Sequence, residues 1–458
     1  MDQPAPAGAP LSVQALRTDV ASGVIDTVVV AITDMQGRLQ GKRIHAPFFV
    51  DEVLGHGTEG CNYLLAVDVD MNTVDGYAMS SWHRGYGDFV MRPDLATLRR
   101  LPWQEGAALV LADVLWLDGS DVVASPRQVL RRQLDRLSDM GMGAFVGTEL
   151  EFIVFKDTFE QAWQSGYRDL TPANLYNVDY SIIGGSRVEP LLRAIRLGMA
   201  GAGLTVESAK GECNLGQHEI AFRYADALTT CDNHVLYKTG AKDIAADQGC
   251  SLTFMAKFDE REGNSCHIHL SFRGADGGFV MADDASPDGM SDLARAFIAG
   301  QLAHMEELTL FFAPNINSYK RYVEGSFAPT AIKWGRDNRT CAFRLVGRGG
   351  GLRLENRVPG GDVNPYLAVA GMIAAGIDGI ERGLELEPAF EGNAYATDAA
   401  RVPTSLHRAL RLWERSEWVA QTFGADVHEH YANMARIELD AFGRSVTDWE
   451  RYRGFERL

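Results

Sequence analysis

The chain reads as an α+β protein, with a small β-rich N-terminal unit followed by a dominant unit of alternating strands and amphipathic helices. Near the start, Asp26 to Ile32 is a β-branched run, Asp34-Met35-Gln36-Gly37 has turn chemistry, and Arg38 to Ile44 can return antiparallel. Further on, Gly147 to Phe155 and Cys266 to Phe272 set charged residues at alternate positions of apolar strands. Late in the chain, Leu406, Ala409, Leu410 and Trp413 recur at helical spacing.

The other elements follow in order. Ala107 to Trp116 is a second strand-like run, ending before the turn residues Asp118-Gly119-Ser120-Asp121. Ser125-Pro126-Arg127-Gln128 then opens a helix, with Ser125 as N-cap, Pro126 in the first turn and Gln128 closing a capping box. Val129, Leu130, Leu134 and Leu137 form its apolar stripe, and Gly141 stops it. The domain boundary is expected near Asp118–Ala124. Residues 1–20 read as a disordered tail, 21–120 as the N-terminal domain and 121–458 as the catalytic domain. No internal repeat or low-complexity segment is evident.

With 458 residues, 46% of them hydrophobic and 23% charged, the chain can bury a large core. Its net charge of −17 disfavours nucleic acid or an acidic membrane as a partner. No segment approaches the roughly 20 apolar residues of a membrane span. Met1 to Pro10 lacks the basic start and apolar middle of a secretory signal. The 6 cysteines form no C-x-x-C pair, which points to a reducing cytoplasm rather than a disulfide framework.

The candidate chemistry lies in short motifs. Glu149 and Glu151 share one face of a strand that otherwise reads as buried, and buried carboxylates are rare unless paired or metal-bound. Glu212 and Glu219 flank a glycine turn leading into another apolar strand. In Cys266-His267-Ile268-His269-Leu270, both imidazoles share a face while Ile268 and Leu270 point to the core. So oxygen-rich a donor set favours Mg²⁺ or Mn²⁺ over Zn²⁺, and H-E-x-x-H is absent. Arg321, Arg339, Arg344, Arg353 and Arg357 supply guanidinium groups suited to carboxylate and phosphate. The plain alternatives are solvated edge strands and surface ion pairs. Gly347-Arg348-Gly349-Gly350-Gly351 lacks the Lys-Ser/Thr of a Walker loop and reads as a flexible turn.

Together these motifs resemble the glutamine synthetase superfamily from about residue 20 to residue 450. The resemblance rests on the acid-x-acid strand, Glu212…Gly216-Gln217-His218-Glu219, His267-x-His269-x-Ser271, Asn317-Ser318-Tyr319-Lys320-Arg321, Asn338-Arg339-Thr340, Arg353-x-Glu355-x-Arg357 and Asn364-Pro365-Tyr366-Leu367. It implies a small β-grasp domain before a catalytic domain with a mainly antiparallel sheet. It also implies a homo-oligomer, a dodecamer of two hexameric rings, with each site completed by a neighbour's N-terminal domain. By the same resemblance, Glu151, Glu212 and Glu219 hold one divalent ion, and Glu149, His267 and Glu355 hold a second against ATP, within a set of two or three Mg²⁺ or Mn²⁺. Arg321 and Arg357 match the holders of glutamate and the transferring phosphate, with Glu151, Gly263, His267 and His269 also on the substrate side. Arg339 and Arg344 match binders of the ATP phosphates, and Arg321 and Arg339 count as catalytic. Tyr224 and Arg353 sandwich adenine, Ser271 lies near its amino group, and Glu149, Glu207 and His269 complete the ATP site. Tyr395 lies where some relatives carry a regulatory tyrosine, but in different surroundings.

The implied reaction is an ATP-dependent carbon–nitrogen ligation through γ-glutamyl phosphate. It juxtaposes anions, and two unit charges 4 Å apart interact by about 4 kcal/mol at an effective dielectric near 20. The chain departs from the family where the nucleophile binds. Gly325-Ser326-Phe327-Ala328-Pro329 has Phe327 in place of the family's flap glutamate, and Glu59-Gly60-Cys61-Asn62 stands for its Asp-Gly-Ser-Ser stretch. A phenyl ring offers an apolar wall or a π face for an alkylammonium, with Glu59 left to take the proton. The expected nucleophile is therefore an organic amine: ethanolamine, another monoamine or a polyamine. Ordinary glutamine synthesis with an altered flap, a carboxylate other than glutamate, and a non-catalytic structural or regulatory relative are the alternatives.

Overall fold

The computed structural model describes residues 11–458. The tail expected for residues 1–20 is corrected in its second half, and residues 1–10 lie outside the described residues. Val13–Ala21 is a helix because the Ser12 hydroxyl accepts from the Ala15 amide (3.1 Å) and Leu16 is buried with Leu11 and Ile25.

Six strands form the N-terminal sheet: β1 (Thr27–Thr33), β2 (Leu39–His45), β3 (Thr58–Cys61), β4 (Asp88–Pro93), β5 (Arg99–Arg100) and β6 (Ala107–Leu115). Their order is β2-β1-β6-β4-β3, with β5 also on β6; β1 and β6 run parallel and the other pairs antiparallel. The expected first hairpin is β1–β2. Its turn closes as Asp34 Oδ1 accepts from the Gln36 and Arg38 amides (3.0 and 2.8 Å), while Gly37 takes φ +76°.

Nine strands form the second sheet: β7 (Met142–Phe155), β8 (Val206–Gly211), β9 (Gln217–Phe222), β10 (Ala225–Asp226), β11 (Ser251–Thr253), β12 (Cys266–Gly274), β13 (Trp334–Arg336), β14 (Phe343–Val346) and β15 (Arg353–Asn356). The order is β13-β14-β15-β12-β7-β9-β8, with β10 and β11 also on β7, and only β13–β14 is parallel. The strand period of two separates its faces. Leu150, Phe152, Ile220, Ile268, Leu270 and Leu354 enter the core shared with the helices Pro126–Asp139, Ala227–Asp247, Asp292–Phe312 and Pro365–Arg382. The alternate residues, acids and histidines, face the other way.

The helix from Pro126 forms as expected, with Val129, Leu130 and Leu137 buried, but without the capping box. The Ser125 side chain makes no cap bond, and the Gln128 amide donates instead to Asp121 Oδ2 at 2.8 Å. The late helix Leu406–Arg415 buries Leu406, Ala409, Leu410 and Trp413. Between the sheets, Asn364 Nδ2 donates to the carbonyls of Asp34 and Met35 at 3.1 and 3.0 Å, fixing the β1–β2 turn to the catalytic unit.

Candidate active site

Strand register alone assembles the polar face. Across neighbouring strands Glu151 lies opposite Glu219, Glu149 opposite His267, His269 opposite Glu355, and Glu355 opposite Arg344. Directly opposed side chains on one sheet face have Cβ atoms about 4.5–5.5 Å apart, so residues distant in sequence become contacts. His269 Nε2 lies 2.9 Å from Glu149 Oε1, and His267 Nδ1 lies 3.2 Å from Glu149 Oε2 and 3.5 Å from Glu355 Oε1. Arg344 and Arg357 donate to the two oxygens of Glu355 at 2.9 and 2.5 Å.

Three groups of potential ligand atoms result, each within 4.8 Å: Glu149, His269 and Glu355; Glu151, Glu212 and Glu219; and, sharing Glu212 with the second, Asp179, Glu212 and Cys213. His267, expected with Glu149 and Glu355, touches both carboxylates through Nδ1, while its buried Nε2 has no partner. Burial pushes the Glu219 carboxyl up to about 8; Lys210 opposes this, and Glu149, Glu151 and Glu355 reinforce it. Burial also acts to raise Glu149, which is more exposed than Glu219, but hydrogen bonds from His267 and His269 hold it well below the usual range. Burial likewise acts to raise Glu355, but His267 and Arg357 bring it down to about 2. Carboxylates crowded in this way, with imidazole beside them, fit hard divalent cations.

Two cavities meet at Glu149. One, of about 330 Å³, is lined by Phe145, Phe222 and Tyr224, by Glu207, His269, Ser271 and Arg353, and by Gly350 and Gly351. The other, of about 350 Å³, is lined by Glu151, Glu212, Glu219, Gly263, His267, Phe327, Arg339, Arg344 and Arg357 among others. An aromatic, half-polar chamber thus opens beside one that carries acids and guanidinium groups. A planar heterocycle fits the first and anionic groups with cations the second.

A glutamine synthetase catalytic domain profile matches residues 123–453. The chain belongs to the glutamine synthetase family. It is 67% identical over 449 residues, 98% of this chain and 96% of the other, to the gamma-glutamylethanolamide synthetase GlnA4 of Streptomyces coelicolor. It is 35% identical to the glutamate–isopropylamine ligase of a Pseudomonas species, over 93% of this chain and 94% of that one. A solved structure titled as a GmaS/ADP complex superposes with a TM-score of 0.84 at 29% identity, covering 96% of this chain and 99% of that one. The enzyme is accordingly a carbon–nitrogen ligase of glutamine synthetase fold.

Within this ligase most of the expected site residues converge, and the others are placed differently. Arg321 is 2% exposed and lines neither cavity. Its guanidinium donates to the carbonyls of Arg357 (3.2 Å), Val358 and Pro359 (2.9 Å), and reaches Ser265 Oγ at 3.4 Å. Gly263 packs on it: a Cβ there would come within 2.1 Å of the Ala256 carbonyl and 2.9 Å of Arg321 Cγ. Glu59 sits exposed on β3, away from both cavities of its own chain. The glycine run expected as a flexible turn instead walls the aromatic cavity at Gly350 and Gly351, where a Cβ on Gly350 would strike the Phe279 ring. Tyr395 is 8% exposed, and its hydroxyl donates to the Ala328 carbonyl at 3.0 Å.

Sequence reasoning missed several groups. Arg273 lies over Phe145 at 4.3 Å and donates to the Tyr224 hydroxyl at 2.9 Å, bracing the aromatic wall. Its signal was strand parity, since Arg273 follows His267, His269 and Ser271 at i+2 spacing. Lys210, opposite Glu219 on β8, pairs with Glu212 and lies 5.0 Å from the Tyr180 ring. Gln217 Nε2 and the Ser265 amide both donate to Glu151 Oε2, at 3.1 and 2.6 Å, and fix that carboxylate.

Proposed function

We propose that this enzyme joins the γ-carboxylate of glutamate to a small organic amine, ethanolamine foremost, with conversion of ATP to ADP and phosphate. The observation that carries this reading is Phe327, 57% exposed on the rim of the acid-lined cavity, where the sequence resemblance calls for an ammonium-binding glutamate. An apolar ring there favours a nucleophile with carbon attached. The similarity to a gamma-glutamylethanolamide synthetase and a glutamate–isopropylamine ligase supports the same conclusion.

In this reading adenine enters the aromatic cavity between Tyr224 and Arg353, with Glu207 and Ser271 beside it. Glu151, Glu212 and Glu219 would hold one Mg²⁺ or Mn²⁺, and Glu149 and Glu355 with His267 a second, His269 being the nearer imidazole to Glu149. Bound divalent ions would offset the repulsion between ATP and the substrate carboxylate. Arg339, exposed on the cavity wall, and Arg344, tied to Glu355, face the transferring phosphoryl group. Arg357 receives the substrate carboxylate, and Arg321 acts by fixing the backbone that carries Arg357. The γ-carboxylate displaces ADP to give γ-glutamyl phosphate. The amine lone pair then attacks the acyl carbon, phosphate leaves, and the amine proton passes to a carboxylate.

Glu59 can be that acceptor only when it is supplied by a second copy. A ring assembly, the dodecamer implied by resemblance, meets that condition. No helix among the described residues is long and apolar enough to cross a membrane. The 6 cysteines are free, which suits a reducing, cytoplasmic setting. Steady-state phosphate release with glutamate, ATP and a panel of ammonia, methylamine, ethanolamine and putrescine tests the proposal. Ethanolamine is expected to give the highest kcat/KM, and ammonia as the best nucleophile would overturn it.

A further inference from the structure

The turn that carries Phe327 is held in an unfavourable backbone conformation by two groups, one in the cavity wall and one behind it. Phe327 has φ +58°, a left-handed geometry that a bulky residue adopts only when its surroundings impose it. Residues 323–325 and Phe327 are exposed, whereas the following Ala328 and Pro329 are buried. Two donors fix the chain at this step. Arg357 Nη2 donates to the Phe327 carbonyl at 3.4 Å, and the Tyr395 hydroxyl donates to the Ala328 carbonyl at 3.0 Å.

Tyr395 is itself fixed. Arg401 Nη2 donates to the carbonyls of Tyr395 (3.2 Å) and Thr397 (2.6 Å), while Arg401 Nη1 donates to Thr330 Oγ1 at 3.0 Å. The backbone bonds Ile332 N to Ala400 O and Val402 N to Thr330 O, at 2.8 and 3.1 Å, lay this segment along the chain that follows Phe327. Burial raises the Tyr395 phenol above its ordinary value, so it stays a neutral donor.

We infer that Tyr395 is a positioning residue for the amine substrate: its hydroxyl pins Ala328 and so keeps the Phe327 ring on the rim of the acid cavity. The inference rests on the reading that Phe327 forms the amine-side wall. Tyr395 touches no reacting group, so its contribution is confined to amine binding, whereas Arg357 also holds Glu355 and bears on the whole site.

A double-mutant cycle in the intact enzyme tests this, with Tyr395→Phe, Phe327→Gly and the pair assayed with ethanolamine. One lost hydrogen bond corresponds to a rise of roughly three- to tenfold in the KM for ethanolamine in Tyr395→Phe. The kcat and the KM for ATP are expected to hold within about twofold, a split that general loosening of the fold would not produce. In the Phe327→Gly background, where glycine accepts the positive φ and the ring is gone, Tyr395→Phe is expected to add nothing. If Phe327→Gly raises the amine KM and Tyr395→Phe does not, the positioning role is wrong while the wall stands. If neither moves it, the reading of Phe327 itself has failed. If kcat and every KM shift together in Tyr395→Phe, the residue is structural and the inference is overturned.

Discussion

At the seam between the two sheets, acids and guanidinium groups pair; in the Glu151, Glu212 and Glu219 cluster on the polar face of the large sheet, the acids outnumber their cation. Arg127 donates to Asp94 (2.7 Å), Asp113 (2.5 Å) and both oxygens of Asp232 (3.0 and 2.9 Å), and Tyr366 donates to Asp232 at 2.7 Å. Arg131 adds bonds to Asp94 and Asp113 at 2.9 and 3.2 Å. Each of the three carboxylates there touches at least one of the two guanidinium groups, and the network is complete within the chain. Glu151, Glu212 and Glu219, by contrast, crowd within 4.8 Å of one another with Lys210 alone beside them. The first arrangement holds elements together and needs nothing more. The second would gain from a divalent cation among its acids, which is what the proposed metal site requires.

The contrast can be broken by substitutions with opposite consequences. Glu219→Gln removes one of the crowded acids. Steady-state assays should show kcat/KM falling at least about a thousandfold, since a lost site charge corresponds to about 4 kcal/mol. The stability of the divalent-free protein should hold or rise slightly. Arg127→Ala strands Asp232, which is 3% exposed, and should cost about 3–5 kcal/mol in a urea titration; Arg127→Met should fare little better. Equal destabilisation by Glu219→Gln and Arg127→Ala would erase the distinction.

The seam also has a smaller, acid-sensitive element. His430 lies buried against Met35 Sδ at 2.8 Å and the Tyr77 ring at 4.6 Å, and burial lowers its pKa from 6.5 to about 4. The unfolded chain therefore takes up this proton first as the pH falls. His430 contributes fully above pH 6.5, loses its contribution below that, and levels off near pH 4. The total is about 3 kcal/mol. Replacing His430 with Phe should flatten this part of the pH–stability curve, and an unchanged slope would exclude it as a source.

Much of the site was legible because it is built from strands. Once Glu149 and Glu151, or His267 and His269, are assigned to apolar strands, their common face follows from parity, and the apolar partners Leu150 and Ile268 locate the core. The first hairpin was equally plain from Asp34 and Gly37. What parity cannot give is register, so the Lys210–Glu219 pairing was invisible, and Glu151 met Glu219 only through the family resemblance. Loop contacts were harder still. Arg321 carries the residue type for phosphate, yet its head is committed to carbonyls of the Arg357–Pro359 segment, which only tertiary structure reveals. The same holds for Tyr395 and Ala328, 67 positions apart with no local pattern linking them. Gln128 failed as a capping residue because Asp121 offered a nearby charged acceptor.

If the crowded acids form a cation site, thermal unfolding of the wild type and of Glu219→Gln, each with EDTA and then with excess Mn²⁺, should separate the two proteins. At a concentration one hundred times Kd, Mn²⁺ should add about 2.7 kcal/mol to the wild type, seen as a rise of a few degrees in Tm. Glu219→Gln should show little or none of that rise. Equal shifts in both proteins, or no shift in the wild type, would contradict the account.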